Sequence, residues 1–248
     1  MELTGLSAHP PVQLTAILRF MPWDALNVGN HELQENVNVD YITKTGGFVD
    51  HWGGKYLASN VLLTATDDHM GSPFIYLQGK NSTVLTFGFL YNFQNHCNHT
   101  VVNMVEETVQ EDWFIEVIMK GGYDAILVLA HMDVKDPLVY TILNATRDIV
   151  GDGMPIQFIT GHTHYRANER LDTRASSFMA GRYLDTLGFV SFPKQSSTPK
   201  DNSSDFEHVF LNPNVETLQS TLGVEDMSTS SGLALSSLIH DTRQQMGL

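Results

Sequence analysis

The 248 residues predict an α/β fold, and three stretches carry that prediction. Residues Ala125 to Ala130 form a near-continuous apolar run of the kind a strand covered on both faces requires. A helix follows, with Asp136 as N-cap, Pro137 as first helical residue and Leu138, Ile142, Ala145 and Ile149 as its buried face; Gly151 closes it. The five residues Ile156 to Thr160 then read as a second strand, running straight into Gly161. A strand, a crossover helix and a strand in this order place the two strands parallel in one sheet.

The rest of the chain supplies further elements in order. Pro10-Pro11 opens a short helix with Leu14, Ile17, Leu18 and Met21 on one face, and Pro22 ends it. Ala25 to Val28 reads as a short buried strand followed by Gly29-Asn30-His31-Glu32. Tyr56 to Leu63 and Phe74 to Leu77 read as strands separated by the polar turn around Asp67-Asp68, and Thr83 to Leu90 as a strand rich in β-branched and aromatic residues. Val102, Val105, Val109, Trp113 and Val117 recur at helical spacing and predict one amphipathic helix stopped by Gly121-Gly122, with Glu106, Glu107, Glu111 and Asp112 on its solvated face. Short strands are expected over Phe178 to Ala180, Thr186 to Phe192 and Phe206 to Leu211, with an exposed loop over 193–205. Two helical stretches end the chain, the second over roughly Gly232 to Met246. The length suits one domain, 1–248.

Composition excludes several classes. A formal net charge of −14 argues against a nucleic-acid polymer or an anionic membrane as partner, because phosphate contacts need clustered Lys and Arg. The single cysteine, Cys97, permits neither an internal disulfide nor a cysteine-based zinc site. No apolar run approaches the roughly 18 residues of a membrane helix, and the first residues lack the pattern of a signal peptide. Four Asn-x-Ser/Thr sequons, at Asn81, Asn98, Asn144 and Asn202, point instead to a secretory route. Chance alone supplies about two in a chain of this content.

The chemistry gathers at the strand ends. Gly161-His162-Thr163-His164 presents two imidazoles on one turn, and imidazole is a common ligand of transition metals. Alone, one His-x-His among 11 histidines is only suggestive. Asn30 and His131, however, also fall just past the ends of predicted strands, the edge at which open α/β sheets bind ligands.

Taken together, Gly29-Asn30-His31-Glu32, His131 and Gly161-His162-Thr163-His164 resemble the later motifs of calcineurin-like metallophosphoesterases, in the branch that contains 5′-nucleotidases. Phe87-Gly88-Phe89-Leu90 and Gly181-Arg182-Tyr183-Leu184-Asp185-Thr186-Leu187-Gly188 resemble that branch as well. The resemblance implies a β-sandwich flanked by helices in αββα layers. It also implies a metal-dependent hydrolase of phosphate esters, acting on a small phosphorylated substrate such as a nucleotide. By the same resemblance Asn30, His131 and His162 would ligate one metal, His164 would help hold a second, and His31 would face the phosphate. The family's divalent ions are zinc, manganese or iron, two per site. Its opening Asp-x-His and Gly-Asp motifs do not appear, so the expectation is an N-terminally truncated domain holding one ion or fewer. The alternative is a non-catalytic remnant or binding module of the same fold. A full-length relative is expected in the secretory pathway, the vacuole or outside the cell.

Overall fold

The computed structural model describes residues 11–192 and 206–247. The twelve strands are β1 (Leu26–Asn27), β2 (Tyr56–Leu57), β3 (Val61–Leu63), β4 (Phe74–Gln78), β5 (Thr83–Leu90) and β6 (Thr100–Val102), then β7 (Ala125–His131), β8 (Ile156–Thr160), β9 (Arg166–Arg170), β10 (Ala175–Ala180), β11 (Leu187–Ser191) and β12 (Glu207–Leu211). Helices α1 (Val12–Arg19), α2 (Asn36–Thr43) and α3 (Phe48–His51) come early, α4 (Val105–Thr108), α5 (Asp112–Met119) and α6 (Pro137–Val150) in the middle, and α7 (Val215–Leu222) and α8 (Ser230–Met246) at the end.

The six-stranded sheet runs β4-β5-β7-β8-β10-β9. Its inner strands β5, β7, β8 and β10 are parallel, and β4 and β9 cap the edges antiparallel. Three two-stranded ribbons surround it: β1-β2, β3-β6 and β11-β12. One core cluster holds Phe87, Phe89, Phe114, Ile126, Ile142 and Phe158, and joins the sheet to α4, α5 and α6. The second, with Val28, Leu33, Ile42, Phe48 and Val61, lies under α1, α2 and α3. The layers are therefore helix, sheet, sheet, helix, a mixed α/β architecture.

The β7-α6-β8 unit forms as expected. The Asp136 carboxylate accepts the Leu138 N–H at 2.9 Å, and Gly151 ends α6 at φ 70°. The buried stripe of α6 is turned slightly from the expected one: Val139, Ile142, Leu143 and Thr146 are buried, while Leu138, Ala145 and Ile149 pack at its margin.

Three elements differ from expectation. The stripe from Val102 to Val117 is not one helix: Val102 ends β6, and α4 and α5 are separate short helices. The segment is rich in Val and Thr, which helices tolerate poorly, and the Glu111 carboxylate is bonded to the Trp113 indole N–H at 2.5 Å across the break. The strand expected over Tyr56 to Leu63 splits at Ser59-Asn60, both fully buried. Asn60 exchanges two hydrogen bonds with the backbone of Leu90, at 2.8 and 2.9 Å, and so takes the place of a neighbouring strand for the end of β5. The Asn60 amide also donates to the Asn103 carbonyl at 3.0 Å. Finally β9, Arg-Ala-Asn-Glu-Arg, carries no apolar pattern and is a strand because β10 offers it an edge. The loop expected over 193–205 lies outside the described residues.

Gly88 sets the spacing of the two sheet layers. A Cβ there would stand 2.4 Å from Leu57 Cβ and 2.5 Å from Asn27 Oδ1, so only glycine lets β5 pass this close beneath β1-β2. That approach brings the end of β1 over the carboxyl edge of the large sheet.

Candidate active site

Because β5, β7 and β8 are parallel neighbours in register, Leu90 pairs with His131 and Ala130 with Thr160, and all three strands end at one edge. His131 is the last residue of β7, His162 and His164 follow β8 by two and four residues, and Asn30 follows β1 by three. Asn30 Oδ1 and His131 Nε2 lie 2.9 Å apart, although 101 residues separate them in the chain. The ring of His162 is 5.1 Å from that of His131. The ring of His164 lies 6.5 Å from that of Tyr183. His162 and His164 both adopt left-handed backbone, at φ 72° and 65°, a conformation costly for residues with a side chain.

The electrostatics at His131 are those of a ring held neutral. Burial pushes the His131 imidazolium down to a pKa of about 3, and the neighbouring rings of His162, His31 and His164 add to the effect. The ring is therefore uncharged at physiological pH, the form in which imidazole binds a metal. Glu32 is buried beneath the site, where its carboxylate accepts the Gly29 N–H at 2.8 Å. His31 Nδ1 lies 3.2 Å from Gln34 Oε1.

The structure also brings in residues that the strand-end argument passed over. Tyr91 follows β5, and its ring lies 4.7 Å from His162 and stacks on His131 at 6.5 Å. A fourth strand end at Leu90 was legible, but the polar-ligand criterion skipped an aromatic. Asp133 accepts hydrogen bonds from Thr163 Oγ1 and Tyr165 Oη at 2.6 and 2.7 Å. Partial burial works against the Asp133 carboxylate, yet these bonds and the Lys135 N–H hold its pKa below the usual range. A cleft of about 360 Å³ opens beside His131 between Trp23, Asn27, Thr160, Arg182 and Tyr183. The Arg182 guanidinium stacks over the Tyr183 ring at 4.7 Å and shares this cleft with the Asp185 carboxylate.

A divalent ion can be tested against these residues. The 2.9 Å between Asn30 Oδ1 and His131 Nε2 is close to one edge of a coordination polyhedron with bonds of about 2.0–2.2 Å. Asn30 and His131 are thus spaced as two neighbouring donors of one ion would be, with the His162 ring 5.1 Å from that of His131. Among the described residues no cluster of three or more His, Cys, Asp or Glu is set to hold a metal.

No family model matches the chain. The solved 5′-nucleotidase of Candida albicans superposes on it with a TM-score of 0.85 at 27% identity, over 93% of this chain and 44% of that one. The fold is that of a 5′-nucleotidase. An NAD nucleotidase of Haemophilus influenzae shares this nucleotidase fold at TM-score 0.60, with 12% identity over 94% of this chain and 52% of that one. Among curated sequences, an uncharacterised protein of Schizosaccharomyces pombe is 32% identical over 79% of this chain and 33% of its own length. A protein of Arthroderma benhamiae described as secreted is 30% identical over 68% of this chain and 26% of its own length. The chain thus carries the nucleotidase fold while spanning about a third or less of these two relatives.

Proposed function

We propose that the chain forms part of a metal-dependent phosphoesterase site acting on a small phosphate ester, a nucleotide being the class that the named structural neighbours suggest. The observation that carries this reading is the meeting of Asn30 and His131 at 2.9 Å, with His162 alongside, at the end of three parallel strands. In this reading Asn30, His131 and His162 hold one ion, and His164 lies toward the position of a second. A bound divalent ion supplies Lewis-acid polarisation of a phosphoryl oxygen. His31, its Nδ1 engaged by Gln34, would exchange a proton with the leaving oxygen at Nε2. Arg182 would attract the phosphate through its fixed charge.

The neutral donor set favours weak turnover. Carboxylates offset the charge of two adjacent dications, and without them the second ion binds far more weakly than the first. The expected result is therefore at most one zinc or manganese ion per chain, with low metal-dependent hydrolysis of an aryl phosphate. Both should be lost on chelation and in His162→Ala. Metal binding that survives His162→Ala would overturn this assignment, and a chain that takes up no metal at all would favour a binding module of the same fold.

A secretory location belongs to this proposal, supported by the relative described as secreted and by the sequons. Asn81 stands exposed in the tight turn between β4 and β5, and Asn98 is exposed just before β6. Asn144 is exposed on α6.

A further inference from the structure

The loop that carries His162 and His164 is not self-supporting. Both residues sit in left-handed backbone, which is costly for an L side chain at each position. Something outside the loop must hold that conformation. The backbone contributes one tie, from the Gly161 N–H to the Met132 carbonyl at 3.1 Å. The residues on either side of His164 contribute two more, and both end on one atom. Thr163 Oγ1 donates to Asp133 Oδ2 at 2.6 Å, and Tyr165 Oη donates to the same oxygen at 2.7 Å. The other carboxylate oxygen accepts the Lys135 N–H at 2.9 Å, which fixes the carboxylate plane. Lys135 is itself paired with Glu169 on β9 at 3.0 Å, so the latch is braced on the strand that follows the loop.

We propose that Asp133 is the positioning residue of the histidine loop: it touches neither metal nor substrate, but fastens the loop after β8 to the loop after β7 and so fixes the directions of His162 and His164. Hydrogen bonds to a charged acceptor are stronger than neutral ones, and two of them converging on one carboxylate oxygen oppose the strain of the left-handed residues. The geometry also explains the alternation of residue types in 162–165. His162 and His164 carry the rings, while Thr163 and Tyr165 carry the hydroxyls that hold them.

The consequence for metal binding rests on the function proposed above; the consequence for the loop does not. The experiment therefore has two arms, both on the full chain. In the first, amide hydrogen exchange is followed without metal in peptides covering 161–166 and, as control, in β7 and β8. Asp133→Ala should speed exchange in 161–166 at least tenfold and leave the two strands unchanged. Thr163→Val and Tyr165→Phe should each give a smaller increase, and they remain informative if Asp133→Ala folds poorly. In the second, zinc affinity is measured by competition with a chromophoric chelator. Asp133→Ala should weaken it by about 10–100-fold, the usual effect of removing a residue that orients ligands, whereas Asp133→Asn, which keeps an acceptor oxygen, should recover most of the loss. Unchanged exchange in 161–166 would overturn the latch. Faster exchange with unaltered zinc affinity would overturn the positioning role. A wild-type chain that binds no zinc would sink the metal reading alone, and exchange would still decide the latch.

Discussion

At the scale of single residues, the site depends on how little room two of its members leave. A Cβ on Gly29 would meet Glu32 Oε2 at 2.8 Å and His131 Cε1 at 3.1 Å, so the bare backbone is what lets Asn30 reach His131. Gly29→Ala should destabilise the chain by about 1–3 kcal/mol, the usual cost of overpacking, and should weaken zinc binding in parallel. Urea denaturation with and without metal would separate the two effects, and unchanged stability would mean that Glu32 can swing aside. His131 and His162 were legible in the sequence because each follows a strongly patterned strand. Asp133 and Tyr91 were not, because nothing in a linear reading shows that a carboxylate two residues past β7 meets hydroxyls thirty residues later. The contact of Gln34 with His31 shows only in the folded chain.

At the scale of elements, legibility followed the source of stability. The β7-α6-β8 unit is written in local signals, an apolar run, an N-cap, a proline and a closing glycine, and it formed as expected. The break between β2 and β3 is written in the long-range bonds of one side chain, so no window of sequence could show it. Asn60→Ala would leave the Leu90 N–H, fully buried, without its partner. The expected cost is roughly 2–4 kcal/mol, three charge-neutral bonds lost and a backbone group left unsatisfied, read as a fall in the urea midpoint at constant m-value. A loss below 1 kcal/mol would show that water or a shifted β3 fills the gap. The β11-β12 ribbon offers a pH test. His208 on β12 stacks on Phe178 at 5.3 Å and contacts Ser176 Oγ at 3.1 Å, and burial holds its pKa below the ordinary 6.5. Below that pH the unfolded chain takes up a proton that the folded chain resists, so stability is intact above 6.5 and declines as the pH falls. His208→Gln should flatten that part of the profile; an equally steep decline would assign it to other groups.

For the molecule as a whole, the helix, sheet, sheet, helix layering agrees with the architecture that the motifs implied, and the 5′-nucleotidase fold agrees with the family they resemble. The secretory proposal has its own test. Expressed in a eukaryotic secretory host, the chain should lose mass on glycosidase treatment, with Asn81→Gln and Asn98→Gln removing most of the shift. An unchanged mass would leave the sequons as coincidence.

The 101 positions from Asn30 to His131 have a consequence in time and in heat. No fragment of the chain can rehearse their meeting: closing so long a loop is unfavourable until the parallel strands between them have aligned. The candidate site is thus among the last features to appear as the chain folds and vanishes with it when it melts. Any small ion that settles there must therefore act on the entire fold. At a concentration of 100 Kd the gain is about 2.7 kcal/mol, visible as a rise in melting temperature with added zinc that Asn30→Ala should remove.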